Sequence, residues 1–180
     1  MPRVGLTQDA VVAIAIDLID AGETPTLTSV AERAGVRTPS LYKHVRSLAE
    51  LQSMVHERLL AEFARALDEA IGSAQGADAV RAGLDGIRSF AHTNPDRYVS
   101  LPTQPLDDPR LEPIARNLTA RLAGAVTTGN PESSSGIHTL RLMRSFADGW
   151  IRLELAGGFG EPVDIDDSWT RAVELIASAS

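Results

Sequence analysis

Apolar side chains recur at the spacing of an α-helix in every long segment of this chain, and this periodicity restricts the fold more than any other feature. In the first segment one helical face collects Val11, Ile14, Ala15, Leu18 and Ile19. No long alternating β-branched run is present, and no tight hairpin turn joins two such runs. The sequence therefore predicts an all-α protein with about nine helices.

Capping residues and chain breakers set the predicted ends of these helices. Thr7 can cap the first helix and Gly22 can end it. Thr38 can cap the third helix, with Pro39 at its first position, and Asp166 can cap the last one. The predicted helices cover residues 7–22, 28–34, 38 to 44 or 45, 48–71, 78–93, 96–101, 110–127, 136–156 and 167–177, with loops at 72–76, 102–109 and 129–135.

Composition narrows the class of protein. A chain of 180 residues is long enough for one large domain or two small ones. It contains no cysteine, which excludes disulfides and thiolate metal sites. The apolar run at residues 10–16 ends at Asp17 and is too short to span a bilayer. We interpret it as a core helix and expect a cytoplasmic protein with no membrane partner.

Charge is distributed unevenly along the chain. The formal net charge is −7. Residues 25–48 nevertheless hold four basic side chains against Glu32 alone, a local charge of +3. Residues 51–180 carry a net charge of −6. A small basic patch on an acidic body is compatible with a nucleic-acid partner approached from one side.

Residues 28–51 have the pattern of a helix-turn-helix. Ala31 is small where a second helix would cross the first, and Gly35 tolerates the positive φ that a tight turn needs. Apolar side chains that could hold both short helices against the first helix are Val30, Ala34, Val36, Leu41 and Val45. The same spacing also occurs in helical hairpins of unrelated proteins. The hydroxyl-bearing and cationic side chains on the outer face favour contact with DNA phosphates and base edges.

The segments 30–36 (Val-Ala-Glu-Arg-Ala-Gly-Val) and 40–45 (Ser-Leu-Tyr-Lys-His-Val) resemble the signature of the TetR (tetracycline repressor) family. The resemblance covers about residues 6–55. It implies a helix-turn-helix domain, here residues 1–47, and a helical effector-binding and dimerisation domain, residues 48–180. It further implies that operator DNA is approached by Thr28, Arg37, Thr38, Pro39, Ser40, Tyr42, Lys43 and His44.

Two positions depart from the family pattern. Val45 stands where the family usually has Phe, and it keeps an apolar side chain there. Leu48 stands where the family usually has a phosphate-binding Lys at the start of the fourth helix. This second change removes one backbone contact, which Arg46 or the N-terminus of the fourth helix could replace in part.

The C-terminal part carries a second resemblance. Residues 146–160, with a Gly-Trp pair, a Leu-Glu pair and a Gly-Gly-Phe loop, are similar to a TetR C-terminal subtype. The family resemblance implies a homodimer through the last two long helices and a small, mostly apolar effector. We expect the effector to contact Phe63, Phe90, His92, Tyr98 and Arg144. The competing interpretation is that the three aromatic residues are core.

Other chemistry finds little support in the sequence. The histidines at 44, 56, 92 and 138 are far apart and form no His-x-x-x-His pair, so no metal site is predicted. The glycine-rich residues 157–160 do not follow a strand, and no cofactor is expected. Residues 133–135 are serines without the context of a nucleophile, so no catalytic residue is predicted.

The function predicted from the sequence is a ligand-responsive, DNA-binding transcriptional regulator that a small molecule releases from a palindromic operator. Two alternatives stay open. One is a helical binding module whose head no longer reads DNA, which Leu48 and the acidic balance would favour. The other is a helical enzyme, which the lack of clustered carboxylate, histidine and nucleophile residues disfavours.

Overall fold

The computed structural model describes residues 6–127 and 134–178, and these ranges are all-helical, as predicted. One 3₁₀ turn at Pro105–Asp107 lies between the sixth and seventh helices. No residue of these two ranges lies in a strand. The nine α-helices described are α1 (Gln8–Asp20), α2 (Leu27–Arg33), α3 (Thr38–Leu41), α4 (Leu48–Ile71), α5 (Ala77–Thr93), α6 (Pro95–Val99), α7 (Glu112–Val126), α8 (Ser134–Leu155) and α9 (Ile165–Ser178).

The first three helices and the first half of α4 enclose an N-terminal core, which we call the head core. Its members are the buried residues Val11, Val12, Ala15, Ile16, Leu18, Ile19, Val30, Ala31, Leu41, Val45, Leu51, Met54, Val55 and Leu59, with Val36 packed against them. The predicted packing of Val30, Val36, Leu41 and Val45 is therefore confirmed. Ala34 is half-buried but is not a member of this core.

Helix ends in the head follow the predicted capping chemistry. The Thr7 hydroxyl accepts a hydrogen bond from the Ala10 N–H at the start of α1. Gly22 and Gly35 end α1 and α2 with φ of 75° and 66°. In both turns, the glycine N–H and the next N–H bond back to carbonyls of the last helical turn, as in a Schellman motif. A side chain at either glycine would occupy the left-handed region, which costs energy for any non-glycine residue.

The body is built around α5, which packs against α4, α6, α7, α8 and α9. A second core forms there, and its largest members include Leu84, Phe90, Tyr98, Ile151 and Trp169. Helix α4 contributes to both cores, with Leu51 and Leu59 in the head core and Ile71 in the body core. One continuous helix of 24 residues thus joins head and body.

Several predicted helix ends are wrong by a few residues. Helix α3 stops at Leu41, and residues 42–44 continue as a hydrogen-bonded turn. Arg37 is its N-cap, so Thr38 does not cap the helix and Pro39 does not lie at its first position. Asp166 lies inside the first turn of α9. The Asp164 carboxylate, ahead of the helix, accepts a hydrogen bond from the Asp166 N–H instead.

Helix α8 begins at Ser134, two residues before the predicted start. The predicted loop at 129–135 lies mostly outside the described residues. Of the three serines at 133–135, position 133 is not described, and 134 and 135 belong to α8. Helix α8 ends at Leu155, one residue before the predicted end, and Gly157 follows with a φ of 66°.

Candidate nucleic-acid interface and body cavity

The second and third helices present a polar face at the end of the head. Thr28, Arg37, Pro39, Tyr42 and Lys43 are exposed. The remaining predicted DNA contacts, Thr38, Ser40 and His44, are half-buried. We call these eight residues the head face. The turn at Gly35 and the buried Ala31 and Leu41 hold α2 and α3 together.

Side chains of the head face have few partners within the protein. The Tyr42 side chain is 55% exposed. In residues 6–127 and 134–178 neither Tyr42, Lys43 nor Arg37 forms a side-chain hydrogen bond or an ion pair. The His44 carbonyl accepts a hydrogen bond from the Gln8 side chain at 2.9 Å, which ties the turn after α3 to α1. Donors held on a fixed backbone and left unpaired are suited to an external acceptor such as phosphate.

The N-terminus of α4 is partly occupied by its own acidic residue. The Ser47 hydroxyl accepts from the Glu50 N–H at 3.1 Å, and the Glu50 carboxylate accepts from the Arg46 N–H at 2.6 Å. The Arg46 guanidinium lies 3.6 Å from the same carboxylate with its side chain 90% exposed. Leu48 is 36% exposed. The Arg110 guanidinium lies 3.7 Å from the Glu50 carboxylate, so two cations are placed near the N-terminus of α4.

A cavity of about 370 Å³ lies in the body between α4, α7, α8 and the connection after α6. Its volume is within the range of small-molecule sites. Most of the wall is apolar and includes Leu60, Phe63, Leu67, Leu101, Ala115, Leu122, Leu140, Met143 and Ala147. Several wall residues, such as Leu106 and Thr119, are exposed, so the cavity opens to solvent on one side.

Polar groups of the cavity concentrate on one face of α8. Arg141, Arg144, Asp148 and Arg152 all line the wall, and their spacing of three, four and four residues places them on the same face of the helix. The Tyr98 hydroxyl donates to the Asp148 carboxylate at 2.8 Å. Burial, with that hydrogen bond adding to it, raises the pKa of the Tyr98 phenol, which therefore stays a donor at neutral pH.

Three of the five predicted effector contacts lie on this wall: Phe63, Tyr98 and Arg144. Phe90 lies behind the wall, where its ring packs edge-on against Phe63 with centroids 5.2 Å apart. His92 is elsewhere, with its Nε2 3.3 Å from the Glu154 carboxylate. Both residues are on α5 with wall residue Ile87. His92 is five residues further along, roughly 140° round the helix from Ile87, and so lies on another face.

Asp148, Arg141 and Arg152 are wall residues that were not among the five predicted effector contacts. Their helical spacing with Arg144 was the signal available, because residues three and four apart share a helix face. The contribution of residues 101–106 could not be read from the sequence, since a connection without periodicity gives no direction to its side chains. Arg144 holds this connection in place by donating to the Thr103 carbonyl at 2.9 Å.

Helix α6 connects the cavity to the head through two adjacent residues. Tyr98 is on the cavity wall, and Arg97 forms ion pairs outside it. The Arg97 guanidinium donates to Asp20 of α1 at 2.6 and 2.7 Å and to Glu62 of α4 at 2.9 Å. The hydrogen bonds from Arg97 to Asp20 lower the pKa of the Asp20 carboxyl below its usual range. A short helix thus contacts the cavity, the head and the connecting helix at once.

The segment that resembles a TetR C-terminal subtype forms an aromatic cluster. Trp150 lies 4.8 Å from Phe159 and 5.7 Å from Trp169, measured between ring centroids, and Phe146 stacks on Trp169 at 5.2 Å. The Arg88 guanidinium lies 5.1 Å from the centroid of Trp169 and bonds to Glu154. These contacts join α8, the loop after it and α9.

None of the helices in the described ranges is long and apolar enough to cross a membrane. The same residues contain no group of three or more histidine, aspartate or glutamate side chains arranged to hold a metal ion.

Comparisons with known proteins agree with this architecture. The family described as "Tetracyclin repressor-like, C-terminal domain" matches residues 80–176, which is more than half of the chain. The uncharacterized HTH-type transcriptional regulator Rv0681 of Mycobacterium tuberculosis is 26% identical over 177 residues, 96% of this chain and 81% of that protein. The uncharacterized HTH-type transcriptional regulator YobS of Bacillus subtilis is 24% identical over 180 residues, 98% of this chain and 94% of that protein.

Two solved structures from Rhodococcus sp. RHA1 share the fold. A protein with unknown function superposes with a TM-score of 0.75 at 18% identity, covering 99% of this chain and 97% of that one. A TetR-like transcriptional regulator gives a TM-score of 0.61 at 22% identity, with 99% and 96% covered. With an all-helical fold, a helix-turn-helix head and a matching C-terminal domain, the chain belongs to the TetR-like family of transcriptional regulators.

Proposed function

We propose that this protein is a ligand-responsive repressor, held on a palindromic operator until a small molecule enters the body cavity. The observation that carries the proposal is the position of α6, where Tyr98 meets the cavity and Arg97 meets α1 of the head. A ligand that moved α6 would change the position of the head. Release requires that the ligand bind more tightly to the form that does not fit DNA.

In this proposal the chain divides at the start of α4, with residues 1–47 reading DNA and residues 48–180 binding the effector and the second subunit. The eight residues of the head face contact phosphates and base edges. Phe63, Tyr98 and Arg144 contact the effector directly. Phe90 supports Phe63 from behind. His92 is not part of the site, because it pairs with Glu154 away from the wall.

The second subunit is a copy of this chain, bound through α8 and α9. Three apolar side chains on these helices are exposed on the single chain: Leu142 (48% exposed), Leu153 (52%) and Leu175 (71%). Gly149 lies between the first two on α8, with open space where its Cβ would be. Residues 146–160, which we assign to the resembling subtype, would hold these two helices in register.

A mobility-shift assay on DNA upstream of the protein's own operon tests the proposal. We expect a shifted band at nanomolar to micromolar protein, lost when an effector is added. If the band forms but no compound in a library of small apolar molecules releases the DNA, the protein is a DNA-binding regulator that does not respond to a small apolar effector. If no operator is bound at all, the alternative of a head that no longer reads DNA is favoured.

A further inference from the structure

We infer that the effector is an amphipathic anion, an apolar molecule with one carboxylate or similar negative group. Arg141, Arg144 and Arg152 on α8 bind this negative group. This inference rests on the proposed function, because it names the chemistry of the ligand for the same cavity. The observation behind it is the excess of arginine over carboxylate side chains on the cavity wall.

Most arginines of this acidic protein have a carboxylate partner. In the described ranges, ion pairs are formed by Arg33, Arg46, Arg65, Arg81, Arg88, Arg97, Arg110, Arg116 and Arg121. Arg141, Arg144 and Arg152 form no ion pair with any residue described, and neither do Arg37, Arg58 and Arg171. The three on α8 differ from the others because they line one cavity. Three cations without a carboxylate partner at one largely apolar cavity are suited to an anionic ligand.

The cavity wall itself supplies too little negative charge. Asp148 is the carboxylate among its lining residues, and it accepts the Tyr98 hydroxyl rather than pairing with an arginine. With three arginines and one aspartate, the formal charge of the described wall is +2. Arg144 and Arg152 both lie near the Tyr98 phenol, since their positive charges act on its pKa.

The position of these charges defines the shape of the ligand. Arg141, Arg144 and Arg152 are exposed and therefore lie at the mouth of the cavity. The buried wall residues Leu67, Met143 and Ala147 lie deeper. An anionic group at the mouth would bond to planar guanidinium groups, which match a carboxylate in a bidentate geometry. The apolar part of the ligand would fill the interior of the cavity and displace water from it.

Such an anion would also act on the link to the head. Arg144 donates to the Thr103 carbonyl, and Tyr98 donates to Asp148. Both bonds hold the segment that follows Arg97 against α8. A carboxylate that competes for Arg144 would loosen the connection at residues 101–106, where Leu101 packs against both the head core and the body core.

Calorimetric titration of the full-length protein with matched ligands tests the charge. Six compounds are used: a decyl chain and a phenylbutyl group, each carrying a carboxylate, an alcohol or an amine at one end. We expect each carboxylate to bind about tenfold or more tightly than its alcohol, and the amines to bind most weakly. Equal affinity of acid and alcohol, tighter binding of the amine, or no binding of any of the six compounds would overturn the inference.

Variants locate the anionic subsite. Arg144→Gln and Arg152→Gln should each reduce affinity for the carboxylates about tenfold or more while leaving the alcohols unchanged. Arg171→Gln on α9 is the matched control, since Arg171 is exposed, forms no ion pair with a described residue and is not on the wall. Carboxylate affinities that respond equally to Arg171→Gln would overturn the assignment.

Operator release separates this inference from the proposed function. If an alcohol releases the operator as well as its acid does, the cavity is a regulatory site but its ligand is neutral. If the carboxylate binds with the expected preference and the operator is not released, the inference on ligand chemistry stands while the proposed repressor mechanism fails.

Discussion

At the scale of single residues, the head face has a backbone that is held in place and side-chain donors, such as Lys43, that have no partner in the described residues. Tyr42 and Lys43 follow the last residue of α3, in a turn fixed by hydrogen bonds from the N–H groups of His44 and Val45 to the Leu41 carbonyl. Leu41 is itself completely buried. The backbone is thus held by the core while the side chains stay available to DNA.

Removing a head-face side chain should weaken operator binding without unfolding the protein. We expect Tyr42→Ala to cost about 1–3 kcal/mol of binding free energy, and Lys43→Ala to reduce the salt slope by about one unit. Fluorescence anisotropy over a range of salt concentrations measures both. Arg65→Ala removes the same charge from a surface ion pair on α4 and should bind as wild type. Operator binding unchanged in both head variants would rule out this face.

Leu48 offers a test in the opposite direction. Introducing the cation that the family usually has there, by Leu48→Lys, should increase operator affinity and steepen the salt slope by about one unit, because one more phosphate is neutralised. The neighbouring variant Ala49→Lys adds the same charge on another side of α4 and is the control. If Ala49→Lys has the same effect, the gain is general electrostatic attraction and not a contact of the α4 N-terminus.

At the scale of helices, the ends of α6 explain why a helix of five residues can link two parts of the molecule. Pro95 begins it, because a proline lacks the N–H that would continue α5. The break redirects the chain so that Tyr98 is buried against the cavity while Arg97 reaches α1 and α4. The link is therefore made by charge-assisted hydrogen bonds, which one substitution can remove.

Arg97→Gln should uncouple the cavity from the head. We expect a loss of stability of about 1–2 kcal/mol, since the ion pairs with Asp20 and Glu62 are partly exposed, measured by urea denaturation. The decisive readout is functional: effector affinity should be retained while effector-induced release of DNA is reduced. The control Arg116→Gln removes an exposed ion pair within α7. Normal release by Arg97→Gln would show that the ion pairs of Arg97 do not carry the coupling.

At the scale of the whole molecule, the exposed residues of α8 fall into two separate groups. Arg141, Arg144 and Arg152 line the cavity, whereas Leu142 and Leu153 lie roughly 100° further round the helix. The remaining side, with Met143, Ala147 and Ile151, is buried in the body core. One helix can therefore serve the effector, the core and a second subunit without conflict.

Dimerisation through this face makes a direct prediction. Wild-type protein should sediment as a dimer at about micromolar concentration, and Leu153→Glu should shift it toward monomer, because a charge would be buried in the interface. Operator affinity should fall with it, as two heads contact half-sites about 34–36 Å apart. Val99→Glu changes an exposed valine on α6 and should leave the dimer intact. A wild-type monomer would contradict the proposal.

The sequence by itself determined the helices, the head and the family. Helical periodicity and capping depend on residues three or four apart, so α1, α4 and the turn at Gly35 follow from local chemistry. The signature around Tyr42 needs no knowledge of the body. The start of α9 could not be decided locally, because Asp164 and Asp166 are both suitable capping residues and only the structure shows that the Asp164 carboxylate accepts from the Asp166 N–H.

Only the tertiary structure decided the cavity and its link to the head. Phe63, Phe90 and Tyr98 were predicted to contact the effector because they are aromatic. The sequence around an aromatic residue does not show whether its ring lies on the cavity wall or behind it. His92 was excluded by its contact with Glu154, a residue far away in the chain. Likewise, the pairing of Arg97 with Asp20 and the unpaired arginines of α8 depend on how distant helices pack. The spacing of residues along a helix determines which side chains share a face, whereas the packing of helices determines what that face contacts.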